Sequence, residues 1–264
     1  MQLKKLFLEN QTLAKAAILV VVVLVVLLIK DRPSSAKEFF NTEKAGIVRT
    51  FKVSLYRLKA DISPIDRDKD LYVYLDGIPF HRQEHSLSCE MASLKMALGY
   101  YGVDVSEADL ISELKFDTTG PRQKNNIWGD PENGFVGNID GKMPNSGYGV
   151  YEGPVADVAV KYRPAKPIKG AILEDILNAV AEKHPVIIWV TLPGNYDISW
   201  KTAGGKDIVA QYGEHARLLV GFSGTINDPK DLFFIDPVYG RMRISKKDFV
   251  KAWNLLDNRA LIVE

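Results

Sequence analysis

Cysteine is nearly absent from this sequence, because Cys89 is the only one among 264 residues. A single thiol excludes an internal disulfide and a metal site built from several cysteines. Net charge is also small, since 34 Lys and Arg residues stand against 33 Asp and Glu residues, and this balance argues against a nucleic-acid-binding surface. No Gly-rich phosphate loop ending in Lys-Ser or Lys-Thr occurs, so no nucleotide is expected. We expect neither a cofactor nor a metal ion.

The position of Cys89 favours a nucleophile, although a lone cysteine is most often a small buried residue. From Cys89 onward, apolar residues recur at helical spacing as far as Tyr101, and Gly102 follows as a stop signal. The thiol therefore lies in the first turn of a predicted amphipathic helix, where unpaired N–H groups and the helix dipole favour the thiolate. Gln83, six residues earlier, is a candidate donor to an oxyanion.

A cysteine nucleophile needs a histidine base, and His215 is the best placed of four candidates. His81 and His85 are near Cys89 in the chain, but the short segment that carries them would brace them poorly. His184 follows a helical pattern and precedes a proline, as the C-terminal residue of a helix does.

His215 begins a predicted strand that runs to Phe222, and a loop rich in Gly, Asn and Asp separates it from a strand that ends at Asp236. If Phe222 lies near Leu232 in an antiparallel pair, His215 lies beside Asp236. The carboxylate would then orient one imidazole nitrogen and leave the other for Cys89. An Asp-Pro pair also commonly ends a strand, so the hairpin geometry is what favours this role.

The pattern after residue 71 places helices first and strands later, which is typical of an α+β domain. Residues 120–153 show little periodicity and indicate a long loop that acts as a lid or a cleft wall. Three acidic residues of this loop miss the spacing of a calcium-binding loop, so we expect them to be solvated: Asp130, Glu132 and Asp140. Further elements are predicted at residues 106–114, 172–183, 186–191, 246–255 and 260–263.

The N-terminus carries a long apolar run at residues 16–29, bracketed by Lys15 and Lys30. Its length, with lysines that reach the interface, suits a membrane-spanning helix, and the positive charge before it favours an N-terminus inside the cell. The segment 34–36, Ser-Ser-Ala, is a tolerable cleavage site, so a secreted form is the alternative. We predict a cytoplasmic flank at 1–15, a transmembrane signal-anchor at 16–29, a stem at 30–70 and a catalytic domain at 71–264.

The chain resembles the double-glycine-peptidase-like family, the bacterial papain-fold cysteine peptidases related to bacteriocin-processing peptidases. The resemblance covers about Leu75 to the C-terminus and is carried by the segments 83–90, 213–216 and 235–237, while 129–137 and 148–151 resemble the stand-alone, secreted branch. It implies a Cys-His-Asp triad at Cys89, His215 and Asp236, with Gln83 in the oxyanion hole.

Two residues depart from the family pattern, because Glu90 and Glu214 stand where many members carry glycine. Each adds negative charge that would raise the pKa values of the cysteine and the histidine. Bacteriocin-processing peptidases are fused to an export ATPase, but this sequence contains no Gly-rich phosphate loop, so a double-glycine leader is not implied as substrate.

We therefore expect a papain-like α+β fold, with the nucleophile helix packed on an antiparallel sheet and a transmembrane segment before it. The expected function is hydrolysis of peptide bonds in a peptide or protein substrate by a membrane-anchored extracellular enzyme. Acyl transfer at the same site, as in a transpeptidase or transglutaminase, and an inactive surface binding module are the alternatives.

Overall fold

The computed structural model describes residues 72–120, 122 and 125–264, all within one unit of the chain, residues 52–264. The predicted cytoplasmic flank, signal-anchor and stem lie outside the described residues. Within the described part, no helix is long and apolar enough to cross a membrane.

An antiparallel sheet forms the centre of the described domain. The strands are β1 (Tyr72–Tyr74), β2 (Phe116–Asp117), β3 (Phe135–Val136), β4 (Ala165–Ile168), β5 (Val186–Lys201), β6 (Asp207–Gly224), β7 (Pro229–Asp236), β8 (Gly240–Ser245) and β9 (Ala260–Val263). Strands β2 and β3 form a short parallel pair, and the other seven form one sheet in the order β4-β9-β5-β6-β7-β8, with β1 also paired to β6. The predicted α+β class with an antiparallel sheet is confirmed.

Five helices pack with this sheet in the described residues. They are α1 (Cys89–Tyr100), α2 (Glu107–Glu113), α3 (Glu152–Ala159), α4 (Leu173–Ala181) and α5 (Lys246–Asn254). Helix α1 contacts β5, β6, α2 and α3, and nine of its twelve residues are buried. The prediction of an amphipathic helix at this position was therefore wrong: α1 is enclosed on almost every side, as central helices of a domain are.

Most predicted elements are present where the sequence places them. Helix α1 begins at Cys89, and helices α2, α4 and α5 and strand β9 lie within their predicted ranges. The Ser106 hydroxyl accepts the Asp109 N–H at 3.0 Å, which is the helix cap expected for α2. The sequence missed α3, β4 and β8, and it missed the outer halves of β5 and β6. Pro193 and Gly194 interrupt the pattern of β5 there, and the pairing with β6 shifts register between Thr191 and Tyr196.

The pairing of β6 with β7 has the predicted register at Gly221 and Phe222, and the register shifts on both sides of this pair. Phe222 lies opposite Leu232, as expected. Between Gly221 and Leu219, however, β6 contains one extra residue, so Leu218 lies opposite Ile235. Because of this β-bulge, the side chains at the end of β7 lie on the opposite face of the sheet from the one the predicted register gives.

The long segment between β2 and α3 is a packed wall of the domain. Its side chains Trp128, Tyr148 and Val150 are buried in the core. The prediction that its acidic residues are solvated was wrong for Asp130, which is buried and paired with Lys206. Asp140 is exposed, as expected, and lies beside His85, while Glu132 is half-buried and paired with Arg259. These contacts hold the segment against the sheet.

We predict that Gly221→Ala destabilises the protein, because a methyl group at this position would lie 2.5 Å from the Val73 carbonyl oxygen of β1. Overpacking of this kind costs about 1–3 kcal/mol of the free energy of unfolding. Chemical denaturation of the full chain measures the change. Gly153→Ala in α3 is the matched control, since its added methyl group would meet only the Glu132 carbonyl at 4.0 Å. Equal stabilities of the two variants would contradict the prediction.

Candidate active site

Cys89 is the first residue of α1 and is 5% exposed. Its backbone N–H is among those at the helix start that have no partner within the helix. The preceding turn is closed by Ser88, whose hydroxyl accepts the His85 N–H at 3.1 Å. The thiol is thus held at a defined point on the edge of β6.

The Cys89 sulfur contacts the residue that follows His215 in β6. The Ala216 N–H donates to Cys89 Sγ at 3.3 Å. This amide is available because the pairing with β7 extends along β6 only to Leu218. The structure therefore brings Cys89 to the His215 segment, although the two are far apart in sequence.

His215 and Asp236 form the pair that the hairpin predicts. His215 Nε2 lies 2.9 Å from Asp236 Oδ2, and both side chains are buried. The other carboxylate oxygen, Oδ1, accepts the N–H groups of Val238 at 2.8 Å and Tyr239 at 3.0 Å. Asp236 is therefore fixed at the turn after β7, and His215 Nδ1 remains for another partner.

Charge keeps Asp236 ionised although it is fully buried. Burial opposes ionisation, but His215, Arg217 and the surrounding hydrogen bonds hold the pKa of the carboxyl well below its usual range. Arg217 Nε lies 3.4 Å from Asp236 Oδ2. The sequence analysis missed Arg217, although strand periodicity could have indicated it, since residues 215 and 217 share one face of β6.

Gln83 lies beside the turn that carries Asp236, because its N–H donates to the Pro237 carbonyl at 3.2 Å. Its side-chain amide donates to the carbonyls of His85 at 2.7 Å and Ser86 at 3.0 Å. Both amide hydrogens thus support the turn before α1. The Gln83 Oε1 atom is buried without a hydrogen-bond partner among the described residues.

Two buried glutamates stand on the other side of Cys89. The thiol lies 3.3 Å from Glu90 Oε2, to which it donates, and Glu214 completes a cluster whose donor atoms all lie within 4.8 Å of one another. Burial, then the charges of Glu90 and Glu214, raise the pKa of the Cys89 thiol well above its usual value. The expectation of a lowered thiol pKa from the helix start was wrong, because desolvation and the two carboxylates outweigh the dipole.

The glutamates themselves are shifted in the same direction. Burial raises the pKa of Glu90 to about 7, and burial with the neighbouring Glu90 charge raises the pKa of Glu214 well above its usual range. The Val150 N–H donates to Glu90 Oε1 at 2.9 Å, and Gly149 approaches both carboxylates so closely that a methyl group there would lie within 3 Å of each. The loop predicted as a cleft wall therefore contacts the site.

The other three histidines have partners elsewhere. His81 Nε2 lies 2.6 Å from Glu107 Oε2, and His85 Nδ1 lies 3.0 Å from Asp140 Oδ1. His184 lies just beyond α4, with Nδ1 3.0 Å from the Tyr101 hydroxyl. Among the described histidines, His215 is the one in the segment that contacts the thiol.

A profile of the Peptidase_C39 like family matches residues 75–261, nearly all of the described domain. The chain belongs to this family. It is a cysteine-type peptidase, and the resemblance found in the sequence is confirmed. The match covers the elements that carry Cys89, His215 and Asp236.

Several individual proteins are similar to this chain. The uncharacterized protein YvpB of Bacillus subtilis (strain 168) is 27% identical over 215 residues, which cover 78% of each chain. The crystal structure of a protein assigned as a C39-like peptidase from Bacillus anthracis is 29% identical, with a TM-score of 0.62 over 74% of this chain and 98% of that chain. The peptidase domain of Streptococcus ComA is more distant, at 16% identity and a TM-score of 0.42 over 71% of this chain and 98% of that domain.

We predict that Glu90→Gln makes Cys89 react faster with iodoacetamide at about pH 8, where the Glu90 carboxylate is charged in the native protein. Removing that charge lowers the thiol pKa, and each unit of decrease gives about tenfold more thiolate. The glutamine retains a carbonyl oxygen that can accept the Val150 N–H. Glu174→Gln, an exposed change on α4, is the control and should leave the rate unchanged. Identical rates for the two variants would show that Glu90 does not govern the thiol.

Proposed function

We propose that this peptidase hydrolyses peptide bonds through Cys89, His215 and Asp236. The observation that carries the proposal is the joint placement of these groups at the end of β7. The Cys89 sulfur accepts the amide that follows His215, and His215 Nε2 bonds to the ionised Asp236. A nucleophile, a base and a group that orients the base are the parts that acyl transfer requires.

The reaction begins with transfer of the thiol proton to His215. Because Asp236 engages Nε2, Nδ1 is the nitrogen that accepts the proton. The thiol now donates to Glu90, so rotation of the Cys89 side chain precedes the transfer. Neutral thiol and imidazole become thiolate and imidazolium, which Asp236 stabilises electrostatically.

The thiolate then attacks the carbonyl carbon of the scissile bond, and the carbonyl oxygen gains the negative charge. The Cys89 N–H at the start of α1 is one donor to this oxyanion. Gln83 is the proposed second donor, and its amide must exchange one of its two present carbonyl partners for the oxyanion. The imidazolium protonates the leaving amine, and water, deprotonated by His215, releases the acyl group from sulfur.

We place this reaction outside the cell, on a domain held to the membrane by residues 16–29. The support is the apolar run with its flanking lysines and the excess of positive charge before it. The substrate is then a peptide or protein that is accessible outside the membrane.

A quenched fluorescent peptide library provides the test of the catalytic assignment. Cys89→Ala should abolish cleavage without unfolding the chain, and Asp236→Asn should lower turnover at least about a hundredfold, because the amide allows the wrong imidazole tautomer. Gln83→Ala should lower it about a hundredfold by removing an oxyanion donor.

Asp228→Asn is the matched control for Asp236→Asn, since Asp228 is an exposed aspartate just before β7. Its turnover should equal that of the native chain. A rate for Asp236→Asn or Gln83→Ala within about twofold of the native rate would remove the corresponding role, because loss of a transition-state contact exceeds that change.

The proposed topology predicts that a protease added to intact cells digests the chain beyond residue 31. The chain should also remain with the membrane fraction until detergent is added, because residues 16–29 hold it there. Immunoblotting of both fractions measures this outcome. A mature protein that begins near Lys37 and is recovered from the medium would show a cleaved signal peptide instead.

A further inference from the structure

The three side chains around the thiol form a compact set of potential metal ligands. Cys89, Glu90 and Glu214 are each at most 5% exposed, and one donor atom from each lies within 4.8 Å of the other two. The set combines one sulfur with two carboxylates. The proposed hydrolysis uses the sulfur and assigns no proton transfer or substrate contact to either glutamate.

Neither glutamate forms a salt bridge with a cation among the described residues. Glu214 is only 5% exposed, and its Oε1 atom has no hydrogen-bond partner among the described residues. The positive charge of Arg259 acts on Glu214 and lowers its pKa, but Arg259 is already bonded to Glu132 and Glu152. A buried carboxylate without a partner is costly, and either a proton or a bound cation relieves that cost.

No side chain of the adjacent loop residue Gly149 stands between the Glu90 and Glu214 carboxylates. The wall beside them is Gly149, which has no side chain, and the Val150 N–H, which bonds only Glu90 Oε1. The unpartnered Glu214 oxygen is a second observation, beyond the closeness of the three side chains, and it indicates a missing ligand at this point.

We propose that Cys89, Glu90 and Glu214 bind a divalent cation of the Zn²⁺ class, and that the bound ion blocks the nucleophile. Thiolate ligands favour Zn²⁺ over Mg²⁺ and Ca²⁺, and carboxylates complete many zinc sites. A tetrahedral zinc ion places neighbouring sulfur and oxygen ligands about 3.5 Å apart. The Cys89 Sγ to Glu90 Oε2 distance of 3.3 Å is close to this value, and rotation of the Glu214 carboxylate brings in the third ligand.

Binding forms a metal–sulfur bond and releases the thiol proton, together with any proton held by the two carboxyl groups. No oxidation occurs. Ion binding itself does not depend on the proposed hydrolysis, but its effect on activity does. The site would keep the peptidase inactive where the ion is abundant and release the thiol where it is scarce.

The test uses the full-length chain, solubilised in detergent, stripped with a chelator and titrated with Co²⁺. The native chain should develop a sulfur-to-cobalt charge-transfer band that Zn²⁺ displaces. Cys89→Ala should lose the band, and Glu214→Gln and Glu90→Gln should each weaken cobalt binding at least about tenfold, since even residues behind metal ligands commonly have effects of this size. Glu174→Gln on α4 is the matched control and should bind cobalt as the native chain does.

A second cluster, His81 with Glu84 and Glu107, offers an alternative location for the ion. His81→Asn removes a ligand of that cluster and should leave the charge-transfer band unchanged. Absence of the band in the native chain overturns the proposal, as does native-like binding in both glutamate variants. Loss of cobalt binding in His81→Asn alone would assign the ion to the second cluster and also overturn it.

Protection of the thiol gives a readout that does not require folded variants. Zn²⁺ should slow alkylation of Cys89 in the native chain at least about tenfold, and a chelator should restore the rate. Unchanged alkylation at a zinc concentration that displaces cobalt contradicts coordination by Cys89. If peptide cleavage is observed, zinc should inhibit it in proportion to occupancy. Failure of the hydrolysis proposal alone would leave the cobalt band and the alkylation result intact.

Discussion

One extra residue in β6 determines where the proposed catalytic groups His215 and Asp236 meet. Gly221 lies opposite Phe233, but Leu219 lies opposite Phe234, so Val220 has no partner in β7. Without this bulge, the register would continue to place Asp236 opposite Leu218, on the face of β6 away from His215. The bulge shifts the register by one residue, so the Asp236 side chain lies on the same face as His215 and Arg217. The carbonyl of Val220 still has a hydrogen-bond partner, because it accepts the Leu75 N–H of the segment after β1 at 2.8 Å.

The sequence predicted much of this site because its main signals are local. The cysteine at a helix start, the hairpin between Phe222 and Leu232, and the Asp-Pro turn are all readable in short segments, and each is present. The exact register of β6 with β7 was harder to predict from the sequence, since the position of a bulge depends on packing between strands. Gly221 was an available signal, because an isolated glycine in a strand often marks a bulge or a close approach of another chain segment.

The sequence predicted that Glu90 and Glu214 raise the pKa of the Cys89 thiol, but it did not predict that their effect and burial together outweigh the helix start. A helix start lowers the pKa of a thiol, and this effect was expected for Cys89. The sequence showed the charges of Glu90 and Glu214, but their strength depends on burial. That burial comes from the loop at Gly149 and Val150, which is distant in sequence. The loop sequence has no helix or strand periodicity, so its packing against the site was not predicted. Long-range enclosure therefore reverses the direction that local position suggests.

The alternation of side chains along β6 places His215 and Glu214 on opposite faces of the same strand. One face holds His215, the proposed base, with its partner Asp236, and the other holds a carboxyl group that raises the pKa of the thiol. Cys89 Sγ accepts the N–H of Ala216, the residue after His215, and lies in a cluster with Glu214. A substitution at residue 214 during evolution can consequently change the acidity of the thiol while His215 keeps its bond to Asp236. These two properties of the site can therefore be inherited independently.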